Sequence, residues 1–147
     1  MSARAISLDI DGVLQPSPRH LPRAEVSAFG WLPFLERMLE AHPDVGLVIH
    51  SSWRETYTPD DLQDMLHPME RRFAGVTPPG ERGASITAWR SANPACDQML
   101  VLDDDPDLTV PAGVALVRCD PRRGLDDADV QAAIAAWLDT SRPTGAP

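Results

Sequence analysis

Ile6-Ser7-Leu8-Asp9-Ile10-Asp11-Gly12-Val13-Leu14 is an apolar run that ends in two aspartates one residue apart, followed at once by glycine. Alternate residues of an extended strand face the same side, so Asp9 and Asp11 would point together if the strand continued. Gly12 permits the backbone to turn away sharply at that point. Two carboxylates at a strand end beside a turn form a site for a hard divalent cation, which prefers oxygen ligands. A carboxylate beside such a cation can also attack phosphorus as a covalent nucleophile. Taken alone, Asp-x-Asp-Gly is also a common turn sequence. A calcium loop of the EF-hand type does not fit, because Val13 stands at its fifth position and no Glu at its twelfth.

The surrounding chain narrows the reading. Its 147 residues are expected to form one domain over 1–139, long enough for a real core, with a flexible tail over 140–147. No apolar run approaches the ~20 residues of a membrane span. Asp9 and Asp11 interrupt any signal-peptide pattern, so a cytoplasmic location is expected. The two cysteines, Cys96 and Cys119, neither build a disulfide framework nor form a metal-spaced cluster. All 13 basic side chains are arginine, so any cationic role falls to a group that is always protonated and forks onto phosphate. A formal charge of −9 argues against broad nucleic-acid binding through the phosphate backbone.

Outward from the first strand, 5–10, the chain alternates strands with helices. Residues 15–30 are Pro-rich and read as a loop or flap. A helix is expected over 31–41, with Leu32, Leu35, Met38 and Leu39 on one face, then a strand over 45–50. Thr58-Pro59-Asp60-Asp61 opens a second helix with a cap, a first-turn proline and first-turn acids, and Pro68 ends or kinks it. A short strand is expected over 73–77, and a helix capped by Ser85 over 85–91. Strands over 98–102 and 114–118 and a last helix over 125–138 complete the pattern. This alternation predicts an α/β fold, a three-layer α/β/α sandwich with a mostly parallel, Rossmann-like sheet of five strands. In such sheets the ligand site lies beyond the carboxyl ends of the strands.

Polar residues gather where that rule places them. His50-Ser51-Ser52-Trp53-Arg54 follows the second strand, and Asp103-Asp104-Asp105-Pro106-Asp107 follows the fourth. A Ser at a strand end can bond a phosphoryl oxygen or merely cap a helix. Consecutive acids behind an apolar strand repel one another unless a cation relieves them, or else form a solvated loop. Arg82 stands just before a helix, 21 residues ahead of Asp103.

In that order the chain resembles the haloacid dehalogenase-like (HAD) superfamily of phosphohydrolases. Asp9-Ile10-Asp11-Gly12-Val13 is similar to the family's first motif, Ser51 to the second, Arg82 to the third, and Asp103-Asp104 to the fourth, over a span from Ile6 to about Leu125. The Ser51-Ser52-Trp53-Arg54-Glu55 segment and the Arg118-Cys119-Asp120-Pro121 run also resemble small HAD domains related to the one in bacterial RNA-repair proteins. The family usually carries Lys at the third position, and Arg90 or Arg72 can fill it as well as Arg82. Asp105 and Asp107 stand near the fourth motif, so the acid set is open there too, with Asp104 preferred as direct ligand and Asp103 supporting it.

The resemblance implies a magnesium-dependent phosphatase. Asp9 would be the nucleophile and Asp11 the acid and base. Ser51 and Arg82 would orient the phosphoryl group, with Ser52 and Arg54 binding substrate nearby. Asp9, the carbonyl of Asp11, and Asp104 would hold the Mg2+. The gaps over 12–50 and 52–81 leave no room for a cap domain. An uncapped site admits a nucleotide, a nucleic-acid end, a phosphoprotein or another accessible phosphomonoester, or takes its cover from a partner subunit. The alternative is a HAD-like module that binds metal, phosphate or a protein partner with little turnover.

Overall fold

The computed structural model describes residues 3–17 and 29–141. The Pro-rich flap expected over 15–30 falls largely, from 18 to 28, outside the described residues, as does the tail beyond 141. Five strands, β1 (Arg4–Leu8), β2 (Val45–Ile49), β3 (Phe73–Val76), β4 (Gln98–Asp103) and β5 (Ala115–Arg118), form one sheet. Its order is β3-β2-β1-β4-β5 and every pairing is parallel, with β1 central as an α/β sandwich requires. No cap interrupts the sheet among the described residues.

Side chains alternate between two apolar layers because successive strand residues face opposite ways. Ile6, Leu8, Leu47, Ile49, Leu100 and Leu102 face one side. There they pack on α1 (Leu32–Leu39), α2 (Pro59–Met65) and α4 (Ala128–Thr140) through Leu35, Leu62 and Ile134. Ala5, Val48, Met99 and Val101 face the other side and pack on α3 (Arg82–Ala92) through Ile86 and Trp89. Burial of both faces explains why β1, β2 and β4 are largely apolar.

Local chemistry sets the helix ends. Thr58 and Asp61 form a reciprocal capping box at the start of α2, as the sequence signal implies. The expected Ser85 cap is a correction. The Glu81 carboxylate accepts from Gly83 N at 2.9 Å and Ala84 N at 2.8 Å, so α3 begins at Arg82. Ser85 lies inside the helix and donates to Arg82 O at 2.9 Å. The shift places Arg82 on the first turn of α3, at the carboxyl end of the sheet. Likewise α4 begins at Ala128, capped by Asp127, because Leu125 belongs to a short 3-10 turn over Gly124–Asp126. At the opposite end of the sheet, Arg4 is buried and its Nε donates to Asp44 Oδ2 at 2.7 Å.

Candidate active site

Asp9 leaves β1 at its carboxyl end, and its backbone N donates to Leu102 O of β4 at 3.0 Å. This bond carries the aspartate toward Asp103, the last residue of β4. Carboxylate oxygens of Asp9, Asp103 and Asp104 lie within 4.8 Å of one another, the first two residues buried and the third half-buried. Burial first, then the charge of Asp103, pushes the Asp9 carboxyl well above the usual carboxylate range, against the pull of Arg82. Burial also raises Asp104. The Gly12 turn makes this closeness possible. Gly12 has φ +84°, and a Cβ there would sit 2.3 Å from Asp104 Oδ2.

Asp103 is the anchor of the cluster. His50 Nε2–H donates to Asp103 Oδ2 at 2.8 Å, and Arg82 Nη1 donates to Oδ1 and Oδ2 at 3.1 and 3.0 Å. Asp105 N adds a bond to Oδ1 at 2.8 Å. Burial would raise the Asp103 carboxyl, but the His50 bond and these partners together hold it below its ordinary value. His50 is fully buried, and burial lowers it, so it is neutral at pH 7. A carboxylate only accepts, so the ring proton lies on Nε2, and Nδ1 accepts from the Ser7 hydroxyl at 2.7 Å. Arg82 Nη1 also reaches Asp9 Oδ2 at 3.2 Å. Thus one guanidinium spans the two most buried acids. Burial, then Asp104, Asp103 and Asp9, pushes the nearby Cys119 thiol up to about 12, which leaves it an inert thiol at neutral pH.

The side chain of Asp11 turns away from the three converging carboxylates. Its Oδ1 accepts from Gln15 Nε2 at 3.0 Å and its Oδ2 from Trp53 Nε1 at 3.1 Å. Gln15 Oε1 in turn accepts from Phe29 N at 3.1 Å, and the Phe29 ring lies 5.7 Å from that of Trp53. Asp11, Gln15, Phe29 and Trp53 therefore close a ring of contacts around one carboxylate. Phe29 holds φ at 51°, a conformation uncommon for a bulky residue. The sequence reading missed Gln15 altogether, and no motif marks it. It acts because the Gly12 turn folds back, with Gly12 N bonded to Gln15 O at 2.7 Å.

The other candidates separate by position. Ser51 is buried, and its Oγ accepts from Trp53 N at 3.2 Å as the cap of a 3-10 turn over Ser52–Glu55. Ser52 is exposed beside it. Arg54 ties two loops together: Nη1 binds His50 O and Ser51 O, and Nη2 donates to Gly80 O at 2.7 Å. Its Nε is buried without a partner. Of the three arginines considered for the third motif, Arg82 reaches the acids. Arg90 donates to Ala112 O at 3.1 Å, and Arg72 donates to Leu39 O at 2.8 Å near the opposite end of the sheet. Asp105 and Asp107 bond along their own loop, Asp107 N to Asp105 Oδ1 at 2.9 Å.

Residues 5–130 match the family described as the HAD domain in Swiss Army Knife RNA repair proteins. The chain belongs to this family. No curated protein and no solved structure matches it significantly. Membership carries a HAD-type hydrolase fold and function at the level of the superfamily. No helix among the described residues is long and apolar enough to cross a membrane.

The acids of this HAD domain suit a cation. All are hard oxygen donors, and the upward displacement of Asp9 and Asp104, caused first by burial and then by the charge of Asp103, marks a site where a positive charge would favour the ionised acids. Two substitutions test the set. Asp104→Asn is expected to weaken Mg2+ binding, read as a smaller rise in melting temperature on adding the ion. Gly12→Ala forces a Cβ against the Asp104 carboxylate and is expected to do the same. A thermal response to Mg2+ as large as that of wild type in both variants would rule out Asp104 as a ligand.

Proposed function

We propose that the protein is a magnesium-dependent phosphohydrolase that works through an aspartyl-phosphate on Asp9. The observation that carries this reading is a division of labour between two neighbouring acids. Asp9 is buried within the cation-suited cluster, under Arg82, while Asp11 is held just outside it by two neutral N–H donors. A site that only bound metal or phosphate would have no use for the second carboxylate.

In the first step an oxygen of Asp9 attacks phosphorus, and the bond from phosphorus to the leaving oxygen breaks. Asp11 gives that oxygen a proton. In the second step Asp11 takes a proton from water, which attacks phosphorus, releases inorganic phosphate and restores the Asp9 carboxylate. Ser51 and Arg82 orient and neutralise the transferring group, with Ser52 and Arg54 at the rim. Asp9, the carbonyl of Asp11, and Asp104 would hold Mg2+, with Asp103 in support. When bound, the ion supplies positive charge between two anions that repel, the nucleophile and the phosphate.

The family's place among RNA-repair proteins and the absence of a cap among the described residues support a nucleotide or nucleic-acid end as substrate. The charge of −9 weighs against long duplex contacts and favours a terminus or a mononucleotide. We place the activity in one cytoplasmic domain over 1–139. A screen of nucleotides, sugar phosphates and phosphorylated nucleic-acid ends tests the reading. Hydrolysis is expected with Mg2+ and not without it, and Asp11→Asn should lower kcat by ~100- to 10,000-fold. A screen without Mg2+-dependent hydrolysis would leave the binding-module alternative standing.

A further inference from the structure

Tyr57 is the one large apolar or aromatic side chain that stands exposed among the described residues, at 38%. Its ring does not stand alone. It lies 5.3 Å from the Trp53 ring at an interplanar angle of 32°, within the range of offset aromatic pairs. Trp53 is fixed from several sides: Nε1–H on Asp11, its ring against Phe29, and its backbone N on Ser51 Oγ. Tyr57 N donates to Trp53 O at 2.9 Å, which fixes the two backbones together. The result is an aromatic step, rigid at its inner end and open to solvent at Tyr57. Its inner ring hydrogen-bonds Asp11, the group assigned to protonate the leaving oxygen.

We propose that the Trp53–Tyr57 step is a stacking platform for the nucleobase of a phosphorylated nucleotide whose phosphate sits at Asp9 and Arg82. The proposal rests on the phosphohydrolase reading for the phosphate end only. The leaving oxygen of a nucleotide is attached to a sugar and a planar base, so a surface continuous with Asp11 is where that base would be carried. Aromatic faces accept any base, because every base has a π-face. A preordered pair also loses little entropy when a ring settles on it. Such a platform favours nucleotides over base-free phosphomonoesters without selecting among bases.

Calorimetric titration of the full-length Asp9→Asn variant, which cannot form the aspartyl-phosphate, in the presence of Mg2+ compares adenosine 3′- and 5′-monophosphates with ribose 5-phosphate. At least one nucleotide is expected to bind about 5- to 100-fold more tightly than ribose 5-phosphate. Adding Tyr57→Ala should shrink that margin toward unity, whereas adding Tyr57→Phe, which keeps the ring, should preserve it. Tyr57 lies on the surface, so neither variant endangers the core. Equal affinity for nucleotide and sugar phosphate, an unchanged margin in Tyr57→Ala, or no binding of either nucleotide would overturn the platform. A nucleotide margin that depends on Tyr57, found together with no turnover by wild type with Mg2+, would keep the platform and overturn the phosphohydrolase reading. Turnover of both compounds by wild type, without a margin in the titration, would do the reverse.

Discussion

Asp9→Asn is expected to bring phosphate release to background while leaving the protein at least as stable as wild type. The activity follows from chemistry: an amide nitrogen or oxygen does not replace a carboxylate as nucleophile toward phosphorus. The stability follows from electrostatics. Asp9 is 2% exposed and faces Asp103 and Asp104, so its charged form is the costly one, and its carboxyl is pushed well above the ordinary value of 3.8. An acid whose folded pKa is raised contributes stability below its unfolded pKa and loses it as pH rises through the folded one. Wild type without Mg2+ should therefore lose stability as pH climbs above the usual carboxylate range, and the Asn variant, which keeps only the raised Asp104, should lose less. Asn Oδ1 can still accept from Ile10 N, bonded to the carboxylate at 2.8 Å, so the local backbone is kept. Melting curves followed from about pH 4 to about pH 8 should show the variant overtaking wild type. A variant less stable than wild type at neutral pH, or one that still turns over, would refute the argument.

Such a trade, stability given up to keep an uncomfortable group in place, also explains what the sequence could and could not convey. The sheet was legible because both faces of β1, β2 and β4 are buried, and such strands are largely apolar. The clustering of Asp9 with Asp103 and Asp104 was legible because carboxyl ends of neighbouring parallel strands meet. Helix starts were less so. Ser85 and Glu81 are both competent caps, and the choice between them depends on where the chain emerges from β3. Arg82 could be ranked only by spacing, because nothing in one sequence separates an arginine that reaches the acid cluster from Arg72, whose guanidinium caps the carbonyls ending α1. The ring of contacts around Asp11 was invisible, since Phe29 and Trp53 join it through tertiary hydrogen bonds and packing that no motif marks.

His50, fully buried at the end of β2, shows the same limit. It is packed, but it also carries the second large expected effect. Asp103→Leu should destabilise the protein by about 3 kcal/mol, the scale of removing one partner from a buried polar pair. The buried His50 Nε2–H, the Asp105 N–H and Arg82 Nη1 all lose their acceptor at once. Relief of repulsion on Asp9 offsets only part of this, because Arg82 already spans both acids. For a domain of this size the cost corresponds to a fall of roughly 10 °C in melting temperature. Asp103→Asn should cost less, for a specific reason. Its NH2 can donate to His50 Nε2 if the ring proton moves to Nδ1, where the Ser7 hydroxyl can accept it instead of donating. Nitrogen chemical shifts of the His50 ring would then report the other tautomer in Asp103→Asn, with the buried chain intact. Ser7→Ala removes that acceptor, so combined with Asp103→Asn it should be more destabilising than the two single changes added together. Additive losses, or a Leu variant as stable as the Asn variant, would mean that His50 is held by shape alone and that the Ser7, His50 and Asp103 chain does not anchor the acid cluster.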